Sequence, residues 1–248
     1  MSDPDVIVYR DGDELAKVTA MRLVARLAAA QAERGSASVV LTGGTIGIQT
    51  LAEVAKADNR DMVDWSLVDV WWGDERFLPA GDPERNETGA RTALLDHVPV
   101  VPERVRVMAP SDAGKTAEQA AAEYALLLRE AAEGGPGPDF DVLLLGLGPD
   151  CHVASLFPGL PGPREEALSV IAVHDSPKPP PTRISLTFPT IRAAREVWIV
   201  ASGESKSAAV RDAFTGDDPA RHPGAGARGR ERTVFLLDEA AAGRLPTR

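Results

Sequence analysis

The chain has 248 residues, a single cysteine and a formal net charge of −10. That charge argues against nucleic acid or an anionic membrane surface as the principal partner, since both demand clustered positive charge, and Cys151 alone can form neither an intramolecular disulfide nor a cysteine-rich zinc site. No apolar run reaches membrane-spanning length, and the N-terminal MSDPDVIVYRDGDE lacks the basic-then-apolar order of a secretory signal, so a cytoplasmic protein is expected.

A β-branched apolar run at Val6–Tyr9 predicts the first strand. After the acidic start Asp13–Glu14, Leu15, Val18, Leu23, Val24 and Leu27 keep helical spacing, and Gly35 follows where a helix stop belongs. Val39–Leu41 predicts a strand that runs into Thr42-Gly43-Gly44-Thr45-Ile46-Gly47 and then a helix. Leu67–Trp72 predicts another strand, followed by the charged segment Asp74-Glu75-Arg76 and a helix carrying Arg85, Asn86 and Arg91. A long helix is expected from about Thr116 to Glu133, before the glycine–proline break at Gly134–Pro138. Val142–Leu145 is short and uniformly apolar, which predicts a strand at the centre of a parallel sheet. Further strands are expected at Val170–Val173, Ile184–Thr187, Val197–Val200 and Val234–Leu237, with a helix opening after Ser202-Gly203-Glu204-Ser205-Lys206. Alternation of strands and helices predicts the α/β class, with a mostly parallel sheet covered on both faces. The length suits one domain over residues 1–248, with Gly134–Pro138 and Pro177–Pro181 as loops inside it.

Ligands of open parallel sheets gather beyond the carboxyl ends of the strands, which directs attention to four junctions. In DVLLLGLGPDCHVASLFPG, from Asp141 to Gly159, an apolar strand ends in glycines and then delivers Asp150 and His152 on a tight turn. The same pattern also fits an ordinary strand-to-helix turn in which Asp150 caps the next helix. The Gly43–Gly44–Thr45 turn fits either a backbone phosphate cradle or a plain turn, and it matches neither the P-loop nor the dinucleotide fingerprint. Arg76 offers a fork of donors suited to phosphate, whereas Glu75 reads as part of a solvated loop with a local ion pair, and Arg91 fits a surface charge equally well. Trp71 and Trp72 read as core and pocket wall. Lysine is scarce, with 5 against 22 arginines, which singles out Lys206 at a strand-to-helix junction, although a solvated lysine is the commoner case. Arg183, after the prolines, is comparable. His97, His174 and His222 show no metal-ligand spacing with one another or with Cys151, and no required metal is expected. No GxSxG nucleophile elbow is present.

Taken together, LTGGT, WWGDERFLP with Arg85-Asn86 and Arg91, LGLGPDCHVASLFPG, PPPTRISLT and GESK resemble the ordered motif set of the 6-phosphogluconolactonases, from about residue 39 to 210. The late VFLLDEAAA segment is similar as well. The resemblance implies a three-layer, Rossmann-like fold shared with glucosamine-6-phosphate deaminases. It implies hydrolysis of 6-phospho-D-glucono-1,5-lactone to 6-phosphogluconate in the oxidative pentose phosphate pathway, with no cofactor. Apart from the resemblance, which does not bear on oligomeric state, a monomer is expected. It assigns His152 as general base, in a neutral form favoured by a nearby helix N-terminus, with Asp150 orienting it or the substrate hydroxyls. It assigns Gly43, Gly44, Thr45, Arg76, Lys206 and Arg183 to the phosphate, and Asp74 and Asn86 to the sugar or to bracing the loop.

Two departures bear on the site. Cys151 stands where the family has glycine between the aspartate and histidine; if that position needs a positive φ, cysteine bears a conformational cost. A nucleophilic Cys151 is the sharper alternative to a general base. Ile46-Gly47 stands where many relatives have Thr-Pro. Among rivals, a glucosamine-6-phosphate deaminase would carry a catalytic glutamate five residues after the histidine, where this chain has Phe157. A non-catalytic sugar-phosphate binding protein would use the same pocket.

Overall fold

The computed structural model describes residues 3–132 and 138–246. The expected helix end at Glu133 and the glycines of the break at 134–137 lie outside the described residues. The described residues contain nine strands: β1 (Asp5–Tyr9), β2 (Ala37–Leu41), β3 (Val68–Trp72), β4 (Asp74–Arg76), β5 (Val142–Gly146), β6 (Val170–Val173), β7 (Arg183–Leu186), β8 (Glu196–Ala201) and β9 (Arg232–Asp238). Among the same described residues are eight α-helices: α1 (Gly12–Arg34), α2 (Thr45–Lys56), α3 (Asn86–Ala93), α4 (Ala117–Ala131), α5 (Phe188–Arg192), α6 (Ser207–Thr215), α7 (Pro223–Gly226) and α8 (Glu239–Ala242).

Local chemistry sets several boundaries. Asp11 caps α1 by accepting from the Glu14 N–H at 2.9 Å, and Gly35 ends it at φ 81, the left-handed conformation that glycine adopts without strain. Thr116 and Gln119 form a reciprocal capping box at the start of α4. Trp65–Leu67 is a 3-10 turn, so β3 begins one residue later than the sequence pattern suggests.

Six strands form an all-parallel sheet in the order β1-β9-β8-β5-β2-β3. Alternate side chains leave opposite faces of each strand, and because both faces are covered the strands read as continuous apolar runs. Val40, Leu143, Leu145, Ile199 and Phe235 pack on one face with Tyr124 and Leu128 of α4 and Val210 of α6. Val39, Leu41, Leu144, Val200 and Leu236 pack on the other with Leu23 and Leu27 of α1 and Leu51 of α2. Helix, sheet and helix thus make the three layers. β4, β7 and β6 form a separate antiparallel sheet, and Val170, Ile184 and Leu186 join it to the first face's core. The strand pattern alone did not distinguish this second sheet.

The sheet order reverses between β2 and β5. From β2 the chain proceeds outward to β3, and from β5 it proceeds the opposite way to β8. A crevice opens at such a switch point, and the glycine turns after β2 and β5 both reach it. At the opposite end of β5, buried Asp141 accepts from the Ser38 N–H at 2.9 Å and pairs with Arg34 and, at 3.8 Å, with Arg26. Burial, opposed by these partners, pushes its carboxyl above the usual range. Among the described residues no helix is long and apolar enough to cross a membrane. Replacing Asp141 with alanine leaves the Ser38 N–H without its acceptor and takes one partner from Arg34 and Arg26, which keep Glu33 and Glu196, and is expected to cost about 1–3 kcal/mol of stability in a denaturant titration. Ligand affinity in the crevice at the far end of the sheet should be unchanged.

Candidate active site

The turn after β5 is built by what it lacks. Gly148 donates its N–H to the His152 carbonyl at 2.9 Å, and Cys151 donates to the Gly148 carbonyl at 3.0 Å. A Cβ at Gly148 would fall 1.9 Å from His152 Nδ1 and 2.4 Å from Asp150 Oδ1, so only glycine leaves room for both side chains. Cys151 adopts φ 69, a left-handed conformation that costs an ordinary residue roughly 1–2 kcal/mol. The position therefore does need a positive φ, and cysteine bears the strain with the turn intact. Its Sγ donates to the Ala209 carbonyl at 3.5 Å, and its carbonyl accepts from Gly224 at 2.9 Å, tying the turn to α6 and α7. Burial pushes the thiol up to about 11, which removes the thiolate a nucleophile requires.

His152 Nδ1 and Asp150 Oδ1 are 2.5 Å apart. Burial would raise the Asp150 carboxyl, but the bond to His152 and the charge of Lys178, 4.0 Å away, outweigh it and hold the group at about 2. Asp150 is thus an ionised acceptor, which assigns the proton to Nδ1 and leaves Nε2 with a free lone pair. Any stability from this pair is present above about pH 4 and is lost as pH falls toward 2. Among the described residues no helix begins at this turn; the next helical residues are Gly162–Arg164, so Asp150 caps none. The helix N-terminus expected beside His152 is replaced by this carboxylate. The Phe157 ring lies against the imidazole, with centroids 4.4 Å apart and planes at 35°.

His152 faces a cleft of about 190 Å³. Thr42, Gly43 and Gly44 from the end of β2 and Gly146, Leu147 and Gly148 from the end of β5 line it, with Asp74, Arg76, Asn86, Lys178, Arg183 and Lys206 around them. Four cations therefore converge on one cleft against a single lining carboxylate, in a chain whose net charge is −10. Burial, with the like charge of Lys178, pushes the Lys206 ammonium below its usual range while Asp150 opposes the shift. Lys206 also lines an adjoining recess of about 240 Å³, and it is there, with Gln49 and Ser202, that Thr45 sits. Of the expected binding residues, Thr45 alone does not line the cleft containing His152.

Beneath the cations lies a buried polar layer. Asp74 accepts from the Ser155 hydroxyl at 2.6 Å and from Asn86 Nδ2 at 3.2 Å, while its backbone carbonyl accepts from the same amide at 2.7 Å. Asn86 packs so closely over Gly43 that a Cβ there would fall 1.8 Å from its Oδ1. Arg183 stands 3.9 Å from Asp74 and spends other donors on the carbonyls of Lys178, Pro179 and Pro180, so it braces the proline loop as well as facing the cleft. Arg76 donates to the Glu84 carbonyl at 2.6 Å, and its Nε is buried without a partner among the described residues.

Glu75 is not part of a solvated loop. It is 1 % exposed and accepts the N–H groups of Arg76, Asn86 and Glu87. The pattern of alternating charges hid a short strand, β4, whose middle residue faces inward. Arg85 is likewise buried, donating to the carbonyls of Leu78 and Met108. Arg91 pairs with Glu87 at 2.9 Å on the helix surface, and Trp71 and Trp72 are core. His174 pairs with Glu118, His97 contacts the Thr92 carbonyl, and neither lines the cleft. Among the described residues no three His, Cys, Asp or Glu side chains are grouped to hold a metal. Lys178 and Ser155 escaped the sequence reading. The scarcity of lysine applied to Lys178 as much as to Lys206, whereas nothing local marked Ser155.

The family model for glucosamine-6-phosphate isomerases/6-phosphogluconolactonase matches residues 10–235. The chain belongs to that family. Within it, the 6-phosphogluconolactonase of Streptomyces coelicolor is 58 % identical over 252 aligned residues, covering 99 % of this chain and 97 % of that one. The Mycobacterium tuberculosis 6-phosphogluconolactonase is 46 % identical, covering 97 % and 98 %. The solved 6-phosphogluconolactonase of Trypanosoma brucei superposes with a TM-score of 0.80 at 29 % identity, over 99 % of this chain and 100 % of that chain. The family fold is thus the three-layer arrangement described above. With its thiol pushed to about 11, Cys151 carries roughly 0.1 % thiolate at pH 8, so the folded protein should resist iodoacetamide and react only on unfolding, as followed by intact mass.

Proposed function

We propose that the chain hydrolyses 6-phospho-D-glucono-1,5-lactone to 6-phosphogluconate, with His152 as general base. The observation that carries this reading is the convergence of Arg76, Lys178, Arg183 and Lys206 on the same small cleft as an imidazole whose Nε2 is unengaged. A phosphate dianion offers several acceptors to such a set, and each charge-assisted hydrogen bond contributes roughly 1.5–3 kcal/mol. The Streptomyces coelicolor and Mycobacterium tuberculosis relatives are both 6-phosphogluconolactonases, which supports the same substrate.

In this mechanism Nε2 removes a proton from water as its oxygen bonds to C1 of the lactone. The tetrahedral intermediate then collapses with cleavage of the bond from C1 to the ring oxygen. The proton held on Nε2 passes to that departing oxygen, and the product acid ionises to carboxylate. Asp150 stays ionised throughout, holding the Nδ1 proton and stabilising the transient imidazolium. A lactone carbonyl is already activated, so a positioned base contributing about 10² to 10⁴ in rate is sufficient. The deaminase reading is disfavoured by Phe157, which lies buried against His152 where that chemistry places a carboxylate.

The test follows loss of freshly generated lactone, corrected for spontaneous hydrolysis. The native chain should turn over rapidly, and folded His152→Ala should lose about 10² to 10⁴ in kcat. Absence of native turnover together with tight sugar-phosphate binding would favour a binding protein, and ammonia release from glucosamine 6-phosphate would favour the deaminase. Arg76→Ala and Lys178→Ala should each raise KM by about tenfold or more while largely sparing kcat. An unchanged KM in either folded variant would remove that residue from phosphate binding.

A further inference from the structure

We propose that Glu75 is a positioning residue for the binding cleft, holding Arg76 and Asn86 in place through their backbones; this rests on the sugar-phosphate reading above. Its carboxylate is buried and is not among the groups that line the cleft, and its acceptor bonds among the described residues run to the backbones of Arg76, Asn86 and Glu87. Oε1 accepts the N–H of Arg76 at 2.8 Å and the N–H of Asn86 at 2.6 Å, and Oε2 accepts the N–H of Glu87 at 2.9 Å. One carboxylate thus spans two elements separated in sequence, the end of β4 and the first turn of α3.

The arrangement meets two needs at once. The residue before α3, Arg85, makes no side-chain cap, so the first N–H groups of the helix would be unsatisfied without Glu75. When ionised, the carboxylate also meets the positive end of the α3 dipole, and the buried Arg85 guanidinium stands 3.7 Å from Oε2. The functional consequence lies one bond further on. Arg76 presents its guanidinium to the cleft, and Asn86 both lines the cleft and holds Asp74 through its side-chain amide. Glu75 therefore fixes the wall opposite His152 without contributing an atom to the turn after β5. Its loss should weaken ligand binding rather than the proton transfers at Nε2.

The experiment compares the native chain with Glu75→Ala and Glu75→Gln at a temperature where each is folded by circular dichroism. Lactone kinetics give kcat and KM, and titration with inorganic phosphate, followed by NMR, gives a dissociation constant independent of turnover. Glu75→Ala should raise both KM and the phosphate dissociation constant by about tenfold, with kcat within about threefold of native. Glu75→Gln keeps one oxygen for the Arg76 and Asn86 N–H groups but opposes its own NH₂ to the N–H of Glu87, so it should raise both constants by an intermediate amount, about threefold. A purely structural role would lower thermal stability and leave the folded fraction with native KM and phosphate affinity. That result, or a fall in kcat at unchanged KM, overturns the proposal. Should Glu75→Ala fail to fold, Glu75→Gln decides by itself: a raised KM and phosphate dissociation constant support positioning, and native values overturn it. A native chain that binds phosphate without hydrolysing lactone overturns the lactonase reading alone, and the phosphate titrations still decide the role of Glu75. A native chain that binds neither overturns both.

Discussion

The contact between the Asp150 carboxylate and His152 Nδ1 depends on a turn that would not tolerate an ordinary side chain at Gly148 and that forces Cys151 into the left-handed region. A strained, over-determined turn is a cost that the surrounding packing must offset, and here the Cys151 backbone and thiol are held from behind by α6 and α7. The gain is orientation. With Nδ1 tied to a carboxylate that stays ionised well below neutral pH, the imidazole has one tautomer and one free nitrogen, and that nitrogen belongs to a side chain lining the cleft. The Phe157 ring lies along the imidazole and supplies an apolar surface where a second carboxylate would change the chemistry.

The rest of the cleft solves a different problem, which is how an acidic protein concentrates positive charge. Four cations placed together repel one another, and the structure offsets this with carboxylates set beneath them. Asp74 lies among the cations, and Glu75 lies behind them where it organises backbone. Asp150 serves on both sides of the site, accepting from His152 and standing near Lys178. Burial raises the Glu75 carboxyl to about 7 against the pull of Arg85 and three N–H donors, a sign of how far this layer is removed from water. In the proposed mechanism the division of labour is spatial: the turn after β5 supplies the proton chemistry, and the β4–α3 corner supplies recognition.

Much of this was legible in the sequence where a residue type has few structural alternatives. The glycine turns after β2 and β5, the acid and imidazole two residues apart, and a lone lysine at a strand-to-helix junction each point to the crevice at the strands' carboxyl ends. The expected strands and the capped first helix reappear because their periodicity is unambiguous. Glu75 and Arg85 were not legible, since a buried ion pair within a charged run has the same sequence as a solvated one, and only the inward face of β4 separates them. Lys178 was hidden among prolines whose loop is brought over the cleft by Arg183, a contact no local pattern records. The helix expected after Asp150 does not form because the chain turns instead through positive φ at both Cys151 and Ala154.

The central claim is that Asp150 accepts the Nδ1 proton of His152, so that Nε2 is the ring nitrogen left to act as the base. Nitrogen-15 NMR of the histidine ring in the free protein near pH 7.5 reads this directly. The account predicts a pyrrole-type shift for Nδ1, with its proton in a strong hydrogen bond that Asp150→Asn weakens, and a pyridine-type shift for Nε2. A neutral ring with its proton on Nε2 and Nδ1 bare would contradict it.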